Sequence, residues 1–163
     1  MLILGIDPGY AIVGYGAVDY TYGRFSPVRF GAITTSAGME FSARLEMIYQ
    51  DMTALLDRTP VRALSIEKLF FTNNKTTAIE VAEARGVILL SARQHNVPVF
   101  EYTPMQVKQS VVGYGKAEKH QVMEMTRQLL GLSEVPRPDD TADALALAIC
   151  HAHSANSLLT YLK

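Results

Sequence analysis

A chain of 163 residues with 48% hydrophobic composition is about the size of one domain and can bury a substantial core. Its formal net charge of -1 excludes a uniformly basic nucleic-acid coat and an acidic tail, so any nucleic-acid contact must come from cations gathered on one face. Cys150 is the sole cysteine, which excludes an intrachain disulfide; no run of about 18 apolar residues offers a membrane span, and the start Met1-Leu2-Ile3-Leu4-Gly5 lacks a secretory pattern, so a cytoplasmic protein is expected.

Leu2 to Ile6 reads as a buried strand, and Asp7-Pro8-Gly9 supplies turn chemistry after it. Ile12 to Tyr20 is β-branched and aromatic, and Arg24 to Thr35 follows a turn at Tyr22-Gly23, which together predict a three-stranded antiparallel meander. Phe41, Leu45, Ile48, Met52 and Leu55 recur at helical spacing and mark the apolar face of a helix over about residues 40–57. Val61 to Ile66 predicts a fourth strand ending at Glu67, Thr76 to Gln94 a helix, and Val97 to Tyr102 a short fifth strand. Strands alternating with helices imply parallel crossovers. Pro104 opens another helix that Gly113-Tyr114-Gly115 interrupts; Ala117 to Leu130 resumes it, and Pro138 leads into a last helix reaching about His153. The expectation is an α/β fold in one domain, with a mixed five-stranded sheet flanked by helices.

Four carboxylates stand beside core sequence. Asp7 and Glu67 end two predicted strands, at the edge where open α/β sheets build their sites. Asp140 and Asp143 are three apart at the start of the apolar helix Ala144 to Cys150, hence on one helix face. Ionised carboxylates in apolar surroundings are costly, so a cluster of them shares a proton, pairs with a cation or holds a metal. Hard oxygen donors without a cysteine or histidine pair suit Mg²⁺ or Mn²⁺ rather than zinc, and two such ions suit phosphodiester cleavage. The plainer readings are a turn residue for Asp7 and a helix cap for an aspartate beside Pro138, for which Asp139 is the candidate. Asp143, a full turn inside the helix, is not explained as a cap.

Gly5-Ile6-Asp7-Pro8-Gly9 followed by Gly14-Tyr15-Gly16, Ile66-Glu67 with Phe70 three later, Ala84-Arg85-Gly86, Val107-Lys108-Gln109, Ala117-Glu118-Lys119 and Asp140-Thr141-Ala142-Asp143-Ala144-Leu145-Ala146 occur in this order. Together they closely resemble the RuvC crossover junction endodeoxyribonucleases, nearly end to end. The resemblance implies an RNase H-like fold and a homodimeric, Mg²⁺-dependent nuclease. Such an enzyme cuts two strands of a four-way (Holliday) junction at symmetric positions, leaving 5′-phosphate and 3′-hydroxyl ends, in recombination and DNA repair. It puts the catalytic, metal-holding acids on Asp7, Glu67, Asp140 and Asp143, with two ions at the transition state. Some relatives carry histidine where this chain has Asp140, and helix geometry alone leaves Asp139 open, since it too shares a face with Asp143.

For DNA contact, Lys108, Lys116, Lys119, His120 and Arg127 gather around Gly113-Tyr114-Gly115, where a loop feeding a helix N-terminus can meet phosphate. A solvated helix face is the alternative. The resemblance singles out Lys108 and Lys119 near the scissile phosphate and Phe70 as an aromatic that stacks on junction bases. It also assigns the helix Thr76 to Gln94, with Ala84 and Gly86 at its centre, to the dimer interface, and implies a RuvA–RuvB branch-migration partner. Cys150 reads as an inert core thiol, and His151 as too far along its helix to join the acids. Two other classes share parts of the pattern: an actin-like or sugar-kinase-like ATPase, which shares Gly-Ile-Asp-Pro-Gly, and a non-catalytic junction-binding dimer.

Overall fold

The computed structural model describes residues 1–69 and 75–161. Strands Leu2–Asp7 (β1), Ile12–Thr21 (β2) and Arg24–Thr34 (β3) run antiparallel in succession, while Ala63–Glu67 (β4) and Val99–Tyr102 (β5) add in parallel beyond β1. The sheet order is β3-β2-β1-β4-β5, the mixed meander-plus-crossover arrangement expected. The β2–β3 hairpin turns on Tyr22 and Gly23, both with positive φ (53° and 80°), the backbone that a tight two-residue hairpin demands.

Helices cover both faces of the sheet, and the strands' two-residue period assigns side chains to one face or the other. Phe41–Arg58 (α1) and Lys75–Gln94 (α2) bury Ile48, Met52, Ala84 and Ile88 against Leu4, Ile6, Leu64 and Ile66. On the opposite face lie Pro104–Val112 (α3), Lys119–Leu129 (α4) and Asp139–Tyr161 (α5), packed with Ile3 and Val18. Leu4 and Ile6 thus face α1 and α2, so Ile3, Gly5 and Asp7 face α5. In β4, likewise, Leu64 and Ile66 face α1 and α2 while Ser65 and Glu67 face α5.

Helix α5 rides close to the sheet because β1 and β2 place glycines, Gly5, Gly14 and Gly16, where it crosses them. A Cβ at Gly5 would strike the Ala144 carbonyl and lie 2.8 Å from Ala148 N; one at Gly16 would lie 2.6 Å from Leu145 Cδ2. The alanines of α5 complete this fit from the other side, and Ala144, Leu145 and Ala148 are fully buried.

Element boundaries differ from the sequence expectation where the backbone is tied locally. Strand β4 starts at Ala63 rather than Val61, because Val61 N donates to Thr59 O in a turn; β5 starts at Val99 because Val97 N is drawn back to Ala92 O at the end of α2. Helix α4 begins at Lys119, two residues later than expected, with a Glu118–Gln121 capping box at its start. Helix α5 runs on past His153 to Tyr161, beyond the end expected from the apolar stretch Ala144 to Cys150. Among the described residues no helix is long and apolar enough to cross a membrane.

Candidate active site

Asp7 and Glu67 end parallel neighbours: Ile6 pairs with Ile66 in register, so the two carboxylates follow side by side, both on the α5 face. The first turn of α5 settles over them through contacts that require specific residues. Gly14, opposite Asp7 in register, leaves room for the Asp140 backbone; a Cβ there would strike the Asp140 carbonyl and lie 3.0 Å from Asp140 Cβ. Thr141 Oγ1 donates to Gly31 O at 3.0 Å, and buried Ser65 Oγ donates to Leu147 O at 2.7 Å. These bonds fix where the helix sits above the strand ends.

Between β1, β4, α3, α4 and α5 lies a cavity of about 270 Å³. Its polar wall is Asp7, Glu67, Asp143, Lys108 and Lys119; its apolar wall is Pro104, Val107, Val122 and Leu147. Thr103 caps α3 with a reciprocal Thr103–Gln106 box, so the helix that carries Lys108 starts directly at the end of β5. Lys119 is the first residue of α4, and its Nζ lies 3.0 Å from Asp143 Oδ2 and 3.6 Å from Asp139 Oδ2.

Electrostatics follow from this crowding. Burial pushes the Asp7 carboxyl up to about 8, with Asp143, Glu67 and Asp140 repelling its charge and Lys119 partly offsetting them. Burial also raises Glu67, with Asp143 adding to the effect, and raises Asp143, which Lys119 counters by hydrogen bond and charge. Partial burial works against the charge on Lys119, yet the hydrogen bond and attraction to Asp143, then to Asp139, hold its ammonium above the usual lysine range.

The structure therefore gathers Asp7, Glu67, Asp143, Lys108 and Lys119 on one cavity. Asp140 lies outside the cavity wall but near enough to raise Asp7. Asp139 is not the cap expected of it: it is already the first residue of α5, and its carboxylate pairs with Arg137 and Lys119. Arg127 is engaged on its own helix, its guanidinium donating to Glu124 (2.6 Å) and to the Leu132 carbonyl (2.9 Å) just past the end of α4. His120 pairs with Glu118 at 3.2 Å. Phe70, with its neighbour Phe71, lies outside the described residues.

Cys150 is buried, and burial lifts its thiol to about 11, which suits an inert core residue. His151 is buried too, with Nδ1 2.7 Å from the Tyr102 hydroxyl and its ring 4.3 Å from that of Phe100. Sequence reasoning missed the apolar wall and this Tyr102–His151 tie. The i, i+3 spacing of Pro104 and Val107 was the available signal for the wall; nothing local pairs residues 49 apart.

The donors fit a divalent cation in kind, since all four acids offer hard oxygen and none is a soft ligand. Lys119 supplies the only cation paired with Asp143 among the described residues. As they stand, no three His, Cys, Asp or Glu side chains among the described residues converge tightly enough to enclose an ion.

A family model described as crossover junction endodeoxyribonuclease RuvC matches residues 3–151. A protein of that name from Desulfitobacterium hafniense is 54% identical over 158 residues, covering 97% of this chain and 96% of its own length. The structure of RuvC from Thermus thermophilus superposes with a TM-score of 0.88 at 36% identity, covering 96% of each chain. The same protein in complex with Holliday junction substrate gives 0.89 at 34% identity, again covering 96% of each chain.

Proposed function

This chain belongs to the RuvC family of crossover junction endodeoxyribonucleases, has the family's RNase H-like fold, and is a nuclease; on that premise we propose that it cuts four-way DNA junctions at the cavity built on Asp7. The observation that carries the assignment of the site is the convergence of Asp7, Glu67 and Asp143 from β1, β4 and α5, with Lys108 and Lys119 facing them. Asp7, Glu67, Asp140 and Asp143 would hold Mg²⁺, two ions when the cut is made, with Mn²⁺ as a substitute. Bound there, the ions supply Lewis acidity to the scissile phosphate and the attacking water.

The residues themselves divide the remaining work. Asp7, side by side with Glu67 at the strand ends, is the acid whose charge burial and the neighbouring Asp143, Glu67 and Asp140 oppose most, so it is the one that a bound cation would relieve most. Asp143 approaches from α5, with Asp140, outside the cavity wall, adding its charge nearby. Lys108 and Lys119 line the cavity from two helices and draw in the phosphodiester. Pro104, Val107, Val122 and Leu147 keep one wall apolar and strengthen each charge interaction across it. The products are 5′-phosphate and 3′-hydroxyl ends.

A symmetric cut in a two-fold substrate calls for two copies of this chain. Helix α2 offers the surface: exposed Ile79, Gly86 and Leu90 fall on one outward stripe, while Ala84 and Ile88 face the core. Phe70, just after Glu67, would stack on junction bases. The enzyme would act in the cytoplasm beside a RuvA–RuvB motor. The test is a synthetic mobile four-way junction with Mg²⁺, beside linear duplex and single strands. Paired symmetric nicks in the junction alone support the proposal; binding without nicks, or equal cutting of duplex, refutes it.

A further inference from the structure

The loop between α3 and α4 carries an apolar surface that the cavity's chemistry leaves unused. Gly113 closes α3 with φ of 97°, and Tyr114 then projects with 47% of its surface exposed. Its ring is nevertheless fixed. The Tyr114 hydroxyl donates to Gln121 Oε1 at 2.9 Å, and that same oxygen accepts from Glu118 N at 2.8 Å in the α4 capping box. The phenol is therefore tied to the helix start that presents Lys119 to the cavity.

Met105 stands beside it. The residue is 65% exposed and its side chain lies across Gly115, where an added Cβ would come 2.7 Å from Met105 Cγ. It follows Pro104, a cavity wall, and lies one turn from Lys108 on the same side of α3. Two large apolar side chains, Met105 on α3 and Tyr114 on the loop that also carries Lys116, thus stand next to the two helices that bring Lys108 and Lys119 to the pocket wall. A groove that holds phosphates with lysines and offers an immobilised ring beside them matches what single-stranded nucleic acid requires. Tying the ring down in advance also removes part of the ordering cost of binding.

We propose that Tyr114 is a stacking platform for a nucleobase next to the phosphate being cut, with Met105 as the adjoining apolar wall. The occupant is a base unstacked at the branch point, recognised by its π-face rather than by its hydrogen-bonding edge. The proposal rests on the junction-cutting reading above.

The test places 2-aminopurine in turn at each position around the branch of a four-way junction and follows its emission on binding, with the full chain and no divalent cation. Wild type should change the emission at one or two positions. Tyr114→Ala should abolish that change and weaken junction binding roughly 5- to 150-fold, the equivalent of about 1 to 3 kcal/mol of stacking. Tyr114→Phe, which keeps the ring, should restore the emission change. Tyr22→Ala, altering a fully exposed tyrosine on the β2–β3 hairpin, should leave both readouts alone. Should Tyr114→Ala fail to fold, Tyr114→Leu serves and should also lose the change. Wild-type affinity and emission in Tyr114→Ala, or loss of the change in Tyr114→Phe, overturns the proposal. Failure of the junction-cutting reading is distinguishable, because wild type would then give no paired nicks in the junction once Mg²⁺ is added, whatever the emission readout shows.

Discussion

Replacing Gly14 by alanine adds one methyl group and no charge, yet should disarm the site. Gly14 faces Asp7 across the β1–β2 ladder, and the new Cβ would fall inside the Asp140 carbonyl and 3.0 Å from Asp140 Cβ. Both obstacles belong to the first turn of a helix held by Thr141, Ser65 and the glycine groove, so no flexible side chain can swing away. The start of α5 must retreat by about 1 Å, a strain of roughly 1 to 3 kcal/mol. For a chain this size that corresponds to a loss of roughly 3 to 10 °C in Tm. The retreat carries Asp140 and Asp143 away from Asp7 and Glu67, and a misplacement of about 1 Å can cost on the order of 100-fold in rate. Single-turnover cleavage of a labelled junction measures the rate, thermal unfolding measures the strain, and Gly38→Ala, with nothing within 4 Å of its Cβ, is the control. A Gly14→Ala protein that cuts as fast as wild type would refute the claim that this close approach sets the acids.

Asp7→Asn should stabilise the metal-free protein at neutral pH. The Asp7 carboxyl sits at about 8 when folded and at 3.8 when free, so between these values folding takes up a proton and stability falls as pH rises. The gain from asparagine, a few kcal/mol at most, should be small near pH 4 and full above about pH 8 in urea unfolding; an equal gain at both ends would contradict it. Millimolar Mg²⁺ should raise the Tm of wild type and not of Asp7→Asn, and equal shifts would argue against ion binding at these acids. Lys119→Gln removes the ammonium that bridges Asp143 and Asp139; the lysine is 56% exposed, so Tm should barely move while single-turnover cutting slows at least tenfold. Tyr102→Phe strips buried His151 of its partner and should cost about 1 to 3 kcal/mol in urea unfolding, with unchanged stability counting against that bond.

Much of this architecture is written in local patterns. Alternation and apolar runs mark the five strands, and the period of Ile48, Met52 and Leu55 marks α1, because burial on one face leaves a periodic trace. The strand ends at Asp7 and Glu67 were legible for the same reason, and so was their shared edge of the sheet. Motif order carried the family resemblance, which the comparisons bear out over residues 3–151.

Which acid faces the cavity was not legible, nor was the partner of Asp139. Asp139, Asp140 and Asp143 all begin one helix, and their spacing permits several choices. The height and rotation of α5 decide among them, and these depend on Gly5, Gly14 and Gly16, on Ser65 and on Thr141, distant in sequence and adjacent only after folding. The apolar wall and the Tyr102–His151 tie share that origin, since they join α3, α4, α5 and β5. By itself the sequence determined which elements form and which residues end them, because those are properties of neighbouring positions. Only the tertiary structure decided which side chains share the cavity, because that depends on how closely one helix can approach two strands.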